Sequence, residues 1–127
     1  MNIPSNLKYT KDHEWLKVEG NGEATVGITD FAQSQLGDIV FIEVETVGET
    51  LGHEEVFGTV EAVKTVSDMF MPVSGELLEV NPKITDQPDV VNKDPYGEGW
   101  IVKIKMTNPA EVNNLLTAEQ YKGVVSE

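Results

Sequence analysis

The sequence predicts a small, mainly β domain, closed as a barrel or sandwich, with one short helix inserted early and helices at its C-terminal end. Three observations carry that prediction. Short runs of alternating or β-branched apolar residues recur from Leu7 through Val80, separated by glycine-containing turns. A single early window, Thr29 to Gly37, holds the start and stop signals of a helix. After Thr107 the apolar positions shift from a period of two to a helical period. A chain of 127 residues is long enough for one modest core and too short for a core plus a separate catalytic lobe, so residues 1–127 are expected to form one domain. Closing the sheet would protect its strand edges.

The elements follow in order. Leu7 to Tyr9 and Glu14 to Glu19 read as strands, with Trp15 as an apolar anchor. Gly20-Asn21-Gly22 is a turn leading into Glu23 to Ile28, where Ala24, Val26 and Ile28 alternate with Thr25 and Gly27. Thr29 offers an N-cap and Asp30 suits the positive end of a helix from Asp30 to Leu36, stopped by Gly37. Its apolar residues Phe31, Ala32 and Leu36 suit a helix lying across a sheet. Ile39 to Val44 is a buried strand, followed by a turn around Val47-Gly48-Glu49.

The stretch Val56 to Gly75 reads as a hairpin: an alternating strand (Val56, Gly58, Val60, Ala62), a reversal at Val63-Lys64-Thr65, and a second apolar run (Val66, Met69, Met71) closed by Pro72 and Gly75. Pro82 to Gly99, punctuated by Pro88, Pro95 and Gly97, is expected to be a surface loop, and Trp100 to Lys105 a strand returning to the core. Asn108-Pro109-Ala110-Glu111 combines an N-cap, a proline at the first helical position and a glutamate placed for a capping box, with Val112, Leu115 and Leu116 on one face. Thr117-Ala118-Glu119-Gln120 repeats that logic for a second short helix through Tyr121 and Lys122. Both helices are expected to cover one end of the β core.

Composition excludes several classes of chemistry. A formal charge of -13 disfavours nucleic acid and anionic membrane surfaces and favours basic protein partners. All nine cations are lysine, so no arginine fork is present for phosphate, which speaks against phosphoryl chemistry. Without cysteine, disulfides, thiolate nucleophiles and cysteine metal sites fall away, and any sulfur redox chemistry must be imported. His13 and His53 lack metal-ligand spacing, so no metal is expected. The carboxylate pairs Asp86/Asp89 and Glu54/Glu55 sit in polar stretches without apolar pocket residues, and the chain is not expected to be an enzyme. The N-terminus shows neither a signal core nor an Arg-rich amphipathic stretch, and no run reaches membrane-spanning length. The expected location is the cytoplasm, or the mitochondrial matrix if a transit peptide has been removed.

Lys64 is the single cation between Lys17 and Lys83, an interval with thirteen Asp and Glu residues. Taken alone, it is an ordinary solvated turn lysine. Its context argues otherwise. Val60-Glu61-Ala62-Val63-Lys64-Thr65, with Ser67-Asp68, Pro72 and Gly75 downstream, resembles the lipoyl-attachment motif of the glycine cleavage system H proteins. Three further blocks stand in the same order: HEWLKVEG (His13 to Gly20), GITDFAQSQLGDIVFIEVETVGE (Gly27 to Glu49) and VNKDPYGEGWIVKIK (Val91 to Lys105). Ala62 and Thr65 depart slightly from the residues usual beside the Val-Lys pair.

The resemblance covers nearly the whole chain and implies the barrel-sandwich hybrid fold of lipoyl and biotinyl domains. It implies a single lipoyl-carrier domain with lipoic acid covalently bound to Lys64, and Glu61 and Gly75 as recognition positions for the lipoylating enzyme. The implied function is a shuttle of the aminomethyl group of glycine from glycine decarboxylase to the aminomethyltransferase. Dihydrolipoyl dehydrogenase would reoxidise the arm, and a lipoate ligase or octanoyltransferase would attach it. In such a carrier a cleft shields the adduct from water. Asp12, Glu14 and Asp68 would serve its amine if they converge in space; otherwise each is plain solvated charge. His13 and Trp15 are expected to pack or hydrogen-bond at the barrel rim. A relay passing lipoyl or octanoyl groups to other carriers needs the same lysine and fold. A biotin carboxyl carrier (Ala-Met-Lys-Met) and a 2-oxo-acid dehydrogenase lipoyl domain (Asp-Lys-Ala) fit the residues around Lys64 less well. A carrier that visits several enzymes is expected to be a monomer.

Overall fold

The computed structural model describes residues 2–126. Nine strands alternate with short helices: β1 (Lys8–Tyr9), β2 (Glu14–Gly20), β3 (Glu23–Ile28), α1 (Asp30–Leu36), β4 (Ile39–Glu43), β5 (Thr50–Leu51), β6 (Val56–Ala62), β7 (Val66–Phe70), β8 (Gly75–Val80), α2 (Pro82–Asp86), α3 (Val90–Lys93), β9 (Val102–Met106), a 3₁₀ turn (Pro109–Asn114) and α4 (Ala118–Val125). The strands form two antiparallel sheets, a larger one in the order β1-β2-β3-β9-β8-β5 and a smaller one in the order β4-β6-β7. Neither sheet closes on itself, which corrects the expectation of closure.

Alternation along the strands explains how the sheets pack. In β3, Ala24, Val26 and Ile28 point inward and are at most 4% exposed. They meet Val60 and Met69 from the smaller sheet and Leu77 and Ile104 from the larger one in a single apolar core. A second, smaller cluster sits where α4 lands: Leu7, Tyr9, Trp15, Ala118 and Tyr121. There the Tyr9 and Tyr121 rings stack with centroids 4.8 Å apart.

Local signals are realised closely at two helices. Thr29 caps α1 by accepting from Ala32 N–H, and Gly37 ends it at φ 80°. Thr117 and Gln120 make the reciprocal capping box of α4. Two expectations fail. The stretch after Pro82 is not a surface loop: Asn81 caps α2, and Ile84, Val90 and Val91 are buried. At the 3₁₀ turn Asn108 makes no side-chain cap, and the Glu111 carboxylate accepts from the Ser74 N–H and hydroxyl instead of completing a capping box. The returning strand also starts later than expected, at Val102.

Candidate functional site

The β6–β7 hairpin sets the position of Lys64. Thr59 pairs with Asp68, Val60 with Ser67 and Glu61 with Val66. The Ala62 N–H donates to the Thr65 carbonyl at 2.7 Å, leaving Val63 and Lys64 at the tip. A second tie runs sideways: the Val63 N–H donates to the Asp38 carbonyl at 3.0 Å, in the connection after α1. The Lys64 side chain is exposed, and the ion pairs among the described residues do not involve it. Its stem passes over Gly37, where a Cβ would stand 3.5 Å from Lys64 Cε.

Beside the hairpin lies a cleft of about 310 Å³. One wall is the α1 face of Phe31, Ala32 and Leu36; the other is Val60 and Met69 of the hairpin, with Ile28 between them. Asp12, His13 and Glu14 enter from the start of β2, and Ser67 and Asp68 from β7. The fold thus brings Asp12, Glu14 and Asp68 together on one cleft. Ser67 follows Lys64 by three residues, one position into β7 beyond the tip.

Glu14 is the unusual member. It is 2% exposed, yet its carboxyl accepts a hydrogen bond from the Thr10 hydroxyl at 2.7 Å and one from the Phe70 N–H at 3.2 Å. Burial outweighs both donors, and its pKa is pushed up to about 8. His13 sits at φ 70°, its Nδ1 2.8 Å from the Tyr121 hydroxyl, which is 2.7 Å from Thr29 Oγ1. Burial lowers the His13 pKa against the opposing pull of Asp12. The Trp15 indole N–H donates to the Pro95 carbonyl at 3.0 Å, and its ring occupies the space a Cβ on Gly27 would need.

Glu61 and Gly75 stand apart from the cleft. Glu61 is exposed on β6, between Phe41 and Val66 in the cross-strand register. Gly75 opens a strand and is not among the glycines at positive φ. It lies in β8, where a Cβ would come within 2.8 Å of the Lys105 carbonyl oxygen. Thr10 and Tyr121 were not singled out from the sequence as site residues. For Thr10 a local signal exists, a hydroxyl residue opening the Lys11-Asp12 turn, whose hydroxyl accepts from the Asp12 and Glu14 N–H groups. Tyr121 has no such signal, because it reaches the site only through the packing of α4.

Comparison with known proteins agrees with this architecture. The family described as "Glycine cleavage H-protein" matches residues 7–127. The glycine cleavage system H protein of Bacteroides fragilis is 60% identical over 126 residues, covering 99% of each chain. That of Chlorobium limicola is 58% identical over 128 residues, covering 100% of each. A crystal structure of a glycine cleavage system H protein from Mycobacterium marinum superposes with a TM-score of 0.89 at 42% identity, over 98% of this chain and 100% of that one. That likeness establishes the mainly β, lipoyl-domain-like barrel-sandwich architecture. The chain belongs to the glycine cleavage H-protein family, the carrier component of the glycine cleavage system and not one of its enzymes.

Proposed function

We propose that this chain carries lipoic acid in amide linkage on Lys64 and shuttles the aminomethyl group of glycine from glycine decarboxylase to the aminomethyltransferase. The observation that carries the reading is the cleft beside the lysine hairpin, where Asp12, Glu14 and Asp68 meet between apolar walls. The residues suit the group. An exposed lysine at a rigid tip admits an acylating enzyme, the aliphatic lining suits an alkyl chain, and carboxyl groups suit an ammonium at its end. When bound, the lipoyl group supplies a cyclic disulfide whose reductive opening takes up the glycine-derived carbon.

The chain's own residues divide the remaining work. Lys64 presents its amine, which after losing a proton displaces the leaving group of an activated acyl chain. Glu61 and Gly75 are the recognition positions for that enzyme, a lipoate ligase or octanoyltransferase. Phe31, Leu36 and Met69 exclude water from the cleft. Glu14 offers a carboxyl there that can surrender its proton to accept a cation, while Asp12 and Asp68 add negative charge nearby. Dihydrolipoyl dehydrogenase completes the set of partners. A relay that only hands acyl groups onward leaves this carboxyl-lined cleft without a task, which favours the shuttle.

The test is intact mass and peptide mapping of protein from its native host, with Lys64→Arg as the blank, followed by glycine-dependent carbon dioxide exchange with the purified partner enzymes. A single lipoyl increment on the Lys64 peptide together with exchange activity is the expected result. Lipoylation without exchange would reassign the chain to the relay, and a biotin increment would refute both.

A further inference from the structure

The smaller sheet carries an apolar patch on its solvent face that the cleft does not use. Phe41 of β4, Glu61 of β6 and Val66 of β7 stand in one cross-strand row, immediately below the lysine tip. Phe41 is 51% exposed and Val66 62%; beside them Val63 at the tip is 75% exposed and Val40 48%. Large apolar side chains grouped this way mark an interaction surface more often than a solvated face. Around them Asp38, Glu43, Glu61 and Asp68 are all exposed.

Charge narrows the occupant. The strands of the smaller sheet hold no lysine. Lys8, Lys17, Lys103 and Lys105 lie instead on strands of the larger sheet. A partner for this patch therefore needs an apolar contact bordered by cations. Reach narrows it further. An enzyme acting on the far end of an acylated arm can stay away from the hairpin, whereas one acylating the bare lysine must approach within the length of that single side chain. Contact with the residues flanking Lys64 is then unavoidable.

We infer that the Phe41–Glu61–Val66 row and Val63 form the docking surface for the enzyme that acylates Lys64, and that this enzyme presents an apolar slot rimmed by Lys or Arg. The inference rests on the lipoyl-carrier reading and adds to it the surface by which the acyltransferase selects this carrier. In this arrangement Phe41 and Val66 anchor, Glu61 fixes register by pairing with a cation, and Lys64 projects into the active site.

Steady-state kinetics with purified lipoate ligase and unmodified protein test it. Phe41→Ala is expected to raise KM for the carrier about 10-fold while leaving kcat within about twofold, as removal of a central apolar anchor does. Val66→Thr, a change of similar shape at an exposed site, is read in parallel; it preserves the inference's test if Phe41→Ala lowers the melting temperature. Unchanged KM in both variants overturns the inference. Normal lipoylation with loss of glycine-dependent carbon dioxide exchange also overturns it, reassigning the patch to glycine decarboxylase. Failure of the wild-type chain to accept lipoate at all refutes the carrier reading itself, a result distinguishable from either.

Discussion

Glu14 holds its proton near neutral pH because two hydrogen-bond donors do not replace the water that burial removes. Its pKa rises from 4.5 to about 8, so between those values the folded chain binds more protons than the unfolded one. Stability contributed by this group is then full below about pH 4.5 and is lost as pH rises towards 8. Glu14→Gln removes that penalty while keeping an amide oxygen that can accept from the Phe70 N–H. Urea unfolding should therefore show the variant gaining stability over wild type from pH 5 to 8.5, by a few kcal/mol, on the order expected for such a shift. A pH-independent difference would mean that Glu14 is ionised throughout. Gly75 makes a second residue-scale case. A methyl 2.8 Å from the Lys105 carbonyl must push apart β8 and β9, so Gly75→Ala is expected to cost about 1–3 kcal/mol in thermal unfolding. Loss of lipoylation beyond what the unfolded fraction explains would establish a recognition role as well.

Among the elements, α4 does more than cover the core. Its Tyr121 hydroxyl lies within hydrogen-bond distance of His13 Nδ1 and Thr29 Oγ1, tying the C-terminal helix to the turn before β2 and to the cap of α1. Tyr121→Phe strips both of a partner and should cost about 1–3 kcal/mol, visible in the melting temperature, with faster amide exchange along α1. The legible elements are those whose signals are local. Thr29 and Gly37 bound α1, Thr117 and Gln120 start α4, and Gly20-Asn21-Gly22 turns β2 into β3. The helices α2 and α3, of five and four residues, are too short to show a period. They are fixed by distant partners: the Asn92 side chain donates to the Gly37 carbonyl and accepts from the Ile39 N–H. The place of Lys64 at a hairpin tip was legible from the strand patterns on either side of it. The meeting of Asp12, Glu14 and Asp68 was not, because the segments that bring them together are far apart in sequence. Nor was the Glu14 proton, which depends on burial alone.

At the scale of the molecule the strands of the small sheet carry Glu43, Glu61 and Asp68 and no lysine, whereas those of the large sheet mix four lysines with Glu14, Glu19, Glu23, Glu76 and Glu79. A net charge of -13 distributed this way should steer a cationic partner towards the hairpin end. Stopped-flow association with lipoate ligase is expected to slow about tenfold or more between 0.05 and 0.5 M salt. If Lys64 is acylated as proposed, its charge is lost and that end becomes still more negative, so later partners should meet a stronger attraction than the first. The tie between the Val63 N–H and the Asp38 carbonyl has a mechanical consequence. Under the proposed attachment, a partner that pulled on an arm at Lys64 would load both the β6–β7 ladder and this crosswise strut, so the hairpin resists peeling from its tip. The root of the arm then behaves as a fixed pivot, and the volume swept by its far end is set by the arm's length alone.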